Sequence, residues 1–309
     1  MKKTAAPLLF LAVIVTLFSC KKEKDGIDHS PRLILKFKFD STQARLNNVG
    51  LPQAIPAGHA GQSPVFNKMS AHYVELAPTA TTALGAGAVI YYAPETFAGG
   101  PKAIDFERSF FAGDNQLFFS APIKDITPGE YEWLRVSLAY QNFDVKFYID
   151  TVVSTPGGPV TIKQEFPATA AGFIGFNTYI KNLLIKTQSI PVNANKPQGF
   201  WAFETVVNYG GINYPFTSSG QAPAGATTVP NPIFATSPIP AGSCVVTAAF
   251  APGKLRITGT ETSDIVIEVS LSTNKSFEWT EVVADGKWEP AKGEGVTDMG
   301  IRGMIPRIQ

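Results

Sequence analysis

Apolar and polar residues alternate along several short stretches of the chain, a pattern typical of strands with one buried face. Residues 33–39 place Leu33, Leu35, Phe37 and Phe39 on one face and two lysines on the other. Residues 131–140 and 265–271 show the same period. Each stretch therefore predicts a strand, and 33–39 is expected to be the first strand of the folded body.

Glycine and proline divide the rest of the chain into short apolar stretches, as expected for strands joined by turns. Residues 156–159 (Pro-Gly-Gly-Pro) predict a hairpin turn, and residues 126–129 (Ile-Thr-Pro-Gly) predict a type II turn. The aromatic stretch 199–209 predicts a central strand, and 170–186 fits a strand better than a helical turn. Further strands are predicted at residues 71–76, 88–92, 116–120, 145–153, 161–166, 244–250 and 254–258.

No stretch keeps an amphipathic helical period over three turns, and no segment recurs at a fixed period. We therefore predict an all-β fold, an antiparallel β-sandwich of the immunoglobulin-like or jelly-roll type with little helix in the body. Residues 215–240, rich in proline, serine, threonine and glycine, predict a long surface loop. Residues 32–309 are interpreted as one elaborated sandwich, with two subdomains divided near 215–240 as the alternative.

The first residues have the pattern of a secretion signal. Lys2 and Lys3 precede an apolar run at residues 7–18, which is too short to cross about 30 Å of hydrocarbon as a helix. A positive start before such a run is typical of a signal peptide. We predict that residues 1–19 form this peptide and that residues 20–31, which are mostly polar and charged, form a tether to the body.

The run Leu17-Phe18-Ser19-Cys20 resembles a bacterial lipobox. The resemblance implies that the thiol of Cys20 receives a diacylglycerol and that the new amino terminus is acylated by a chain such as palmitate. Several acyl chains hold a protein to a membrane far more firmly than one. Lys21 resembles the residue that follows the cysteine in lipoproteins sent to the outer membrane of a diderm host, on its periplasmic or surface face. The whole arrangement resembles the uncharacterised surface lipoproteins of Bacteroidota.

The charge balance and the cysteines exclude some classes of function. The formal net charge is +1, and losing two lysines with the signal leaves a nearly neutral body with no electrostatic attraction to nucleic acid. The chain has two cysteines, so lipidation of Cys20 leaves Cys244 without a disulfide partner. Cys244, followed by two valines, is interpreted as a small buried apolar residue.

The three histidines give a metal-binding alternative. His29 lies in the tether, His59 in a Gly/Pro-rich loop and His72 at the start of a strand. None of them has the short ligand spacing of a structural metal site. His59 and His72, with nearby carboxylates, are nevertheless the residues that a copper or zinc site would use.

Paired carboxylates give a hydrolase alternative. Asp105 and Glu107 share a face if their segment is extended, and Glu130 and Glu132 do likewise. Glycosidases need two carboxylates about 5–9.5 Å apart, so Asp105 and Glu107 are the residues we name for acid/base catalysis. Both pairs also alternate with apolar residues, as on the solvent face of a strand. The sequence contains no nucleophile elbow, P-loop, dinucleotide fingerprint or HExxH motif.

Tryptophan side chains are the candidate binding residues: exposed ones stack on sugar rings or anchor a partner protein. Trp288 is predicted to be the most exposed because turns surround it. The four tryptophans are Trp133, Trp201, Trp279 and Trp288.

The order of strands and turns resembles that of MbnP-like lipoproteins over most of the mature chain. The landmarks are residues 33–40, 73–76, 126–131 and 265–269. The resemblance implies an exported β-sandwich and, for some members, copper binding through histidine and modified tryptophan. Because histidines are scarce here and none matches a copper ligand, it implies export and fold rather than a copper cofactor.

The leading hypothesis is a membrane-anchored, non-enzymatic binding or accessory lipoprotein of the cell envelope, without a cofactor, that contacts a glycan or a protein. The alternatives are a copper-binding lipoprotein and an envelope hydrolase.

The lipid anchor is tested by a Cys20→Ser substitution. The variant is expected to incorporate no labelled palmitate and to leave the membrane fraction, because the acceptor thiol is lost. Fractionation with labelled fatty acid measures both, and Cys244→Ser is the matched control that keeps the label. A Cys20→Ser variant that still partitions into membranes would disprove the anchor.

Overall fold

The computed structural model describes residues 30–222 and 244–309, and this part of the chain is almost entirely β-structure. Its helical residues are confined to three short 3-10 helices, at Phe106–Arg108, Ile123–Asp125 and Pro290–Lys292. Within these ranges no helix has the length and apolar character needed to cross a membrane. The predicted all-β class is confirmed.

Twenty strands make up the described part of the chain. They are β1 (Arg32–Asp40), β2 (His59–Gln62), β3 (Val65–Ala77), β4 (Ala88–Tyr92), β5 (Glu95–Thr96), β6 (Ala103–Asp105), β7 (Gln116–Pro122), β8 (Gly129–Tyr131), β9 (Trp133–Thr155), β10 (Gly158–Phe173), β11 (Thr178–Leu184), β12 (Ser189–Lys196), β13 (Phe200–Tyr209), β14 (Ile212–Gln221), β15 (Cys244–Ala249), β16 (Leu255–Ile257), β17 (Ile265–Ser272), β18 (Phe277–Thr280), β19 (Val296–Asp298) and β20 (Met304–Ile308).

The largest sheet is organised around the long strand β9. Its order is β14-β13-β10-β9-β3-β4, and β15 also pairs with β9. One edge of β9 pairs with β3, and the other edge pairs first with β15 and then with β10. The sheet curls into a half-barrel.

A second sheet, ordered β20-β17-β1-β7, packs on this curled sheet. The ring of Phe66 in β3 lies between Phe39 of β1 and Phe143 of β9, with centroids 5.1 Å from each. Within the second sheet, Phe37 stacks on Phe118 of β7 at 4.4 Å, and Phe118 in turn lies 5.1 Å from Tyr91 of β4 in the curled sheet. Truncating a buried phenylalanine to alanine typically costs about 3–5 kcal/mol, so these rings hold the two layers together.

Two strand pairs are parallel, although we expected antiparallel pairing throughout. β1 runs parallel to β17, and β6 runs parallel to β11. Each pair is far apart in sequence, so the long connection that a parallel pair requires is available. Smaller sheets, ordered β12-β11-β6-β5, β16-β8 and β19-β18-β2, complete the described fold.

Most predicted strands are confirmed. Residues 33–39 form β1, and the 156–159 turn is a tight hairpin because Gly158 pairs with Thr155. Residues 170–186 contain the end of β10 and then β11, and β13 has a neighbour on both sides. The prediction of a loop at 215–240 is wrong for residues 215–221, which belong to β14. Ten successive pairs with β13 outweigh the weak strand propensity of proline, serine and glycine in this segment. Residues 223–240 lie outside the described residues.

Glu204 of β13 binds the β11–β12 turn to the curled sheet. Its carboxylate accepts hydrogen bonds from the hydroxyl of Thr187 and from the amides of Lys186, Thr187 and Gln188. Burial raises the pKa of Glu204, but these hydrogen bonds outweigh burial and bring the pKa below its usual value. The ionised carboxylate therefore stabilises the fold.

A Glu204→Gln substitution is expected to lower the free energy of unfolding at pH 7 by about 1–3 kcal/mol, since charged acceptors make the stronger hydrogen bonds. A lowered acidic pKa gives stability that is present above the unfolded pKa of about 4.3 and is lost as pH falls through the folded value. The difference between the proteins should thus shrink at pH 3, as urea denaturation measures. Glu165→Gln, at an exposed glutamate, is the control, and a pH-independent difference would contradict the assignment.

Candidate functional site

A large concavity lies on the curled sheet where β10, β13 and β14 extend beyond the second sheet. Its volume is about 1330 Å³, and its lining is mostly apolar. We call it the aromatic groove and define it by six ring-bearing residues of its lining: Phe147, Trp201, Phe203, Tyr214, Phe216 and Trp288.

The floor of the aromatic groove is deep because small and large side chains face each other across β10 and β13. Ala170 pairs with Phe203, and Gly172 pairs with Trp201. Directly paired residues of antiparallel strands project on the same face of the sheet. Ala170 therefore leaves space that the rings of β13 border without filling. At Gly172 the side chains of Gln141 and Met299 lie 3.2 Å from where a Cβ would stand.

Trp201 lies across its neighbour strand β14. A Cβ atom at Gly220 would come within 2.7 Å of the indole carbon Cζ2 of Trp201, closer than a carbon–carbon contact allows. Only glycine at this position lets the indole rest against the backbone of β14. The half-buried indole thereby forms one end of the groove.

The opposite wall contains Trp288, which is 9% exposed. Its ring packs at 4.8 Å from Phe277 and 6.1 Å from Phe203, and its indole N–H donates to the carbonyl of Glu294 at 3.0 Å. The prediction that Trp288 is the most exposed tryptophan is wrong. The turn around it is folded inward, because the carboxylate of Glu294 accepts the amides of Val282, Val283 and Glu289.

The charged side chains beside this wall are engaged with one another. Arg302, 6% exposed, donates from Nε to Glu278 Oε1 at 2.6 Å and lies 3.0 Å from Asp298 Oδ2. Arg45 reaches the same Glu278 oxygen at 2.6 Å. Two cations and two carboxylates thus pair within the protein. Arg302 and Glu278 are buried and compensate each other, as buried charges require, whereas about half of the Asp298 side chain is exposed.

The other tryptophans do not form an exposed binding face. Trp279 lies in β18 and is fully buried in the core. Its predicted role as an exposed binding residue is therefore wrong. Trp133 is half-buried at the start of β9 and does not line the aromatic groove. Trp201 and Trp288 are the two of the four that the groove brings together.

The structure does not bring the two candidate metal ligands together. His72 in β3 is fully buried, with Nε2 3.0 Å from Glu95 Oε1, and Lys102 Nζ lies 2.5 Å from the other Glu95 oxygen. His59 lies in a different sheet, with Nδ1 3.4 Å from Thr297 Oγ1. Across residues 30–222 and 244–309, no three histidine, cysteine or acidic residues are grouped to hold a metal ion.

The candidate catalytic carboxylates lie in surface ion pairs. β6 ends at Asp105, and Glu107 belongs to the following 3-10 helix, so the pair does not share one extended strand as we expected. Glu107 pairs with Lys181 at 3.3 Å, and Asp105 lies 4.0 Å from Arg108. Glu130 and Glu132 face Arg256 and Lys254 in the same manner. His29 and Cys20 lie outside the described residues.

The groove residues that the sequence did not reveal are Phe203 of β13 and the rings of β14. Tyr214 and Phe216 are 51% and 56% exposed and stand at the rim of the groove. Phe216 falls in the loop predicted at 215–240, and the proline and serine that interrupt the segment obscure the strand pattern around Tyr214. The detectable signal was the alternation of Phe203, Thr205 and Val207 beside that of Tyr214 and Phe216.

Comparison of the chain with protein-family models, curated proteins and solved structures gives no match. The site is therefore interpreted from its own geometry, and the likeness to MbnP-like lipoproteins stays a prediction.

Cys244, half-buried in the groove wall, offers a chemical probe of this environment. Burial, with a smaller contribution from Asp298, raises the pKa of the Cys244 thiol to about 12. Because only thiolates react, we expect a thiol reagent at pH 8 to modify native Cys20→Ser protein at least about a hundredfold more slowly than unfolded protein.

The absorbance of the product that a chromogenic reagent releases on reaction with a thiol measures the rates for the native and the unfolded protein. The surface control is Leu117→Cys with Cys20 and Cys244 replaced by serine, since Leu117 is 55% exposed. Native and unfolded proteins that react at one rate would contradict the enclosed environment of Cys244.

Proposed function

We propose that the chain is an exported lipoprotein, held at the outer membrane through Cys20, whose body is a non-enzymatic binding protein. Its ligand is an apolar molecule or segment that occupies the aromatic groove. The observation that carries this proposal is a large concavity with aromatic walls and small residues in its floor. Concave, mostly apolar sites with few polar groups are the usual form of ligand pockets.

The walls favour an apolar ligand over a glycan. A sugar needs hydrogen-bonding partners for its hydroxyls as well as a ring to stack on. Here the buried charged groups of the wall are already engaged: Arg302 with two carboxylates, and Glu294 with three amides. An apolar surface fills the groove without leaving these groups unpaired.

Exposed rings at the rim support the same conclusion. Tyr214 and Phe216 leave about half of their surface accessible, and a contiguous apolar patch on a folded protein marks a binding surface. Burying apolar area yields about 25 cal/mol per Å². Burial of the apolar surface of both rings would therefore stabilise a bound ligand.

A Phe216→Ala substitution is expected to weaken binding of the neutral apolar dye Nile red about three- to tenfold, because ring area that the dye covers is lost. The exposed ring is not part of the core, so thermal stability should change little. Fluorescence titration measures the affinity. Phe97→Ala, at a ring that is 69% exposed and outside the groove, is the matched control.

Two results would contradict the proposal. One is a protein that does not bind the dye at all. The other is equal weakening by Phe216→Ala and Phe97→Ala, which would show that the dye adheres to exposed rings in general.

A further inference from the structure

Strand β14 forms an exposed edge of the curled sheet. Within the described ranges it pairs only with β13, through ten consecutive pairs without a register shift. Its sequence, INYPFTSSGQ, contains no charged residue, and eight of its ten residues are exposed. An edge of this kind presents unpaired backbone groups that accept another strand.

Several other edge strands in the described part carry features that protect them. β12 ends in Lys196, and β20 contains Arg307. Both β4 and β7 have register shifts against their neighbours. Charges, bulges and prolines are the usual means by which proteins prevent pairing at an edge. β14 has no charge and no register shift, and its one proline, Pro215, lies in the first half of the strand, so residues 217–221 carry none of these features.

The backbone direction of β14 follows from two observations. The amide of Ala222, just after the strand, donates to the carbonyl of Gly199 at 2.9 Å, so even-numbered residues face β13. Pro215, which has no N–H, then falls on the outward side, where a proline is tolerated. The amides of Thr217, Ser219 and Gln221 therefore point to the open edge.

The same strand also borders the aromatic groove. Tyr214, Phe216 and Ser218 line the groove from β14. A strand added beside β14 would continue the sheet and direct every second side chain to the same face. Its backbone would pair with the open edge while its alternate side chains entered the groove.

We propose that the ligand of the aromatic groove is an extended polypeptide segment that adds as a strand to β14, with uncharged apolar residues at alternate positions. This inference rests on the proposed binding function and names its ligand class. Strand addition of this type takes its affinity from main-chain hydrogen bonds and its specificity from side-chain pockets.

The size and charge of the groove match such a segment. Its volume of about 1330 Å³ exceeds the range of about 300–1,000 Å³ usual for small-molecule sites, and a strand advances about 3.4 Å per residue, so several side chains can enter it. Because Arg302 and Glu278 compensate each other, no charge in the ligand is required.

The test uses a synthetic peptide of alternating valine and threonine with a lysine at each end. Its control is the same peptide with alternate amides N-methylated, which keeps the side chains but removes the hydrogen bonds on one edge. Calorimetry with the full chain is expected to show binding of the unmethylated peptide and at least about tenfold weaker binding of the methylated one.

A Thr217→Pro substitution removes one outward amide, and we expect it to weaken peptide binding about three- to tenfold. Thr217→Val keeps the amide and is expected to bind as the parent does. Both variants should bind Nile red with unchanged affinity, which verifies that the groove is intact.

Several results would overturn the inference, and each is distinct. Equal binding of both peptides would indicate apolar capture without strand pairing. A dimer in sedimentation experiments that Thr217→Pro dissociates would assign the edge to a second copy of the chain. Peptide binding only after residues 223–243 are shortened would assign the groove to the chain itself. Nile red binding without peptide binding would overturn this inference alone, whereas loss of both would also remove the proposed function.

Discussion

The fold depends on β9 pairing along both of its edges. At Ala139 one edge of β9 changes partner from β15 to β10, and the carbonyl of Ala139 accepts the amides of Ile174 and Gly175 where the chain leaves β10. A Cβ at Gly175 would lie 2.6 Å from the Cα of Ala139, so a glycine is needed at this junction. This junction separates β15 from β10 along β9.

The aromatic groove is a continuation of the hydrophobic core. On β3 and β9 the second sheet covers the inner face, and rings such as Phe66 and Phe143 are buried there. Farther along the same face, β13 and β14 extend past this cover, so the same alternation of apolar residues leaves Phe216 exposed. Curling of the sheet supplies the concavity, and small residues of β10 supply its depth.

The alternating pattern predicted most strands because each strand buries one face, and that local requirement is visible in sequence. Pairing partners are not local, which is why the parallel contact of β1 with β17 and the assignment of residues 215–221 to β14 escaped prediction. The predicted exposure of Trp288 is wrong for a similar reason. A turn predicts exposure, but hydrogen bonds to the carboxylate of Glu294 fold this turn inward. The groove could not be predicted from the sequence because its walls come from segments that are far apart in the chain.

The charged cluster beside the groove determines what the groove can accept. Glu278 meets both Arg302 and Arg45, and Arg302 also meets Asp298, so the wall is held by ion pairs whose desolvation is already compensated. Removing one member of such a cluster leaves an uncompensated buried charge, which costs more than the pair contributes. A ligand that competed for Arg302 would have to break this compensation. An apolar ligand leaves it intact, and so the chemistry of the wall selects for the burial of apolar surface on the rings opposite.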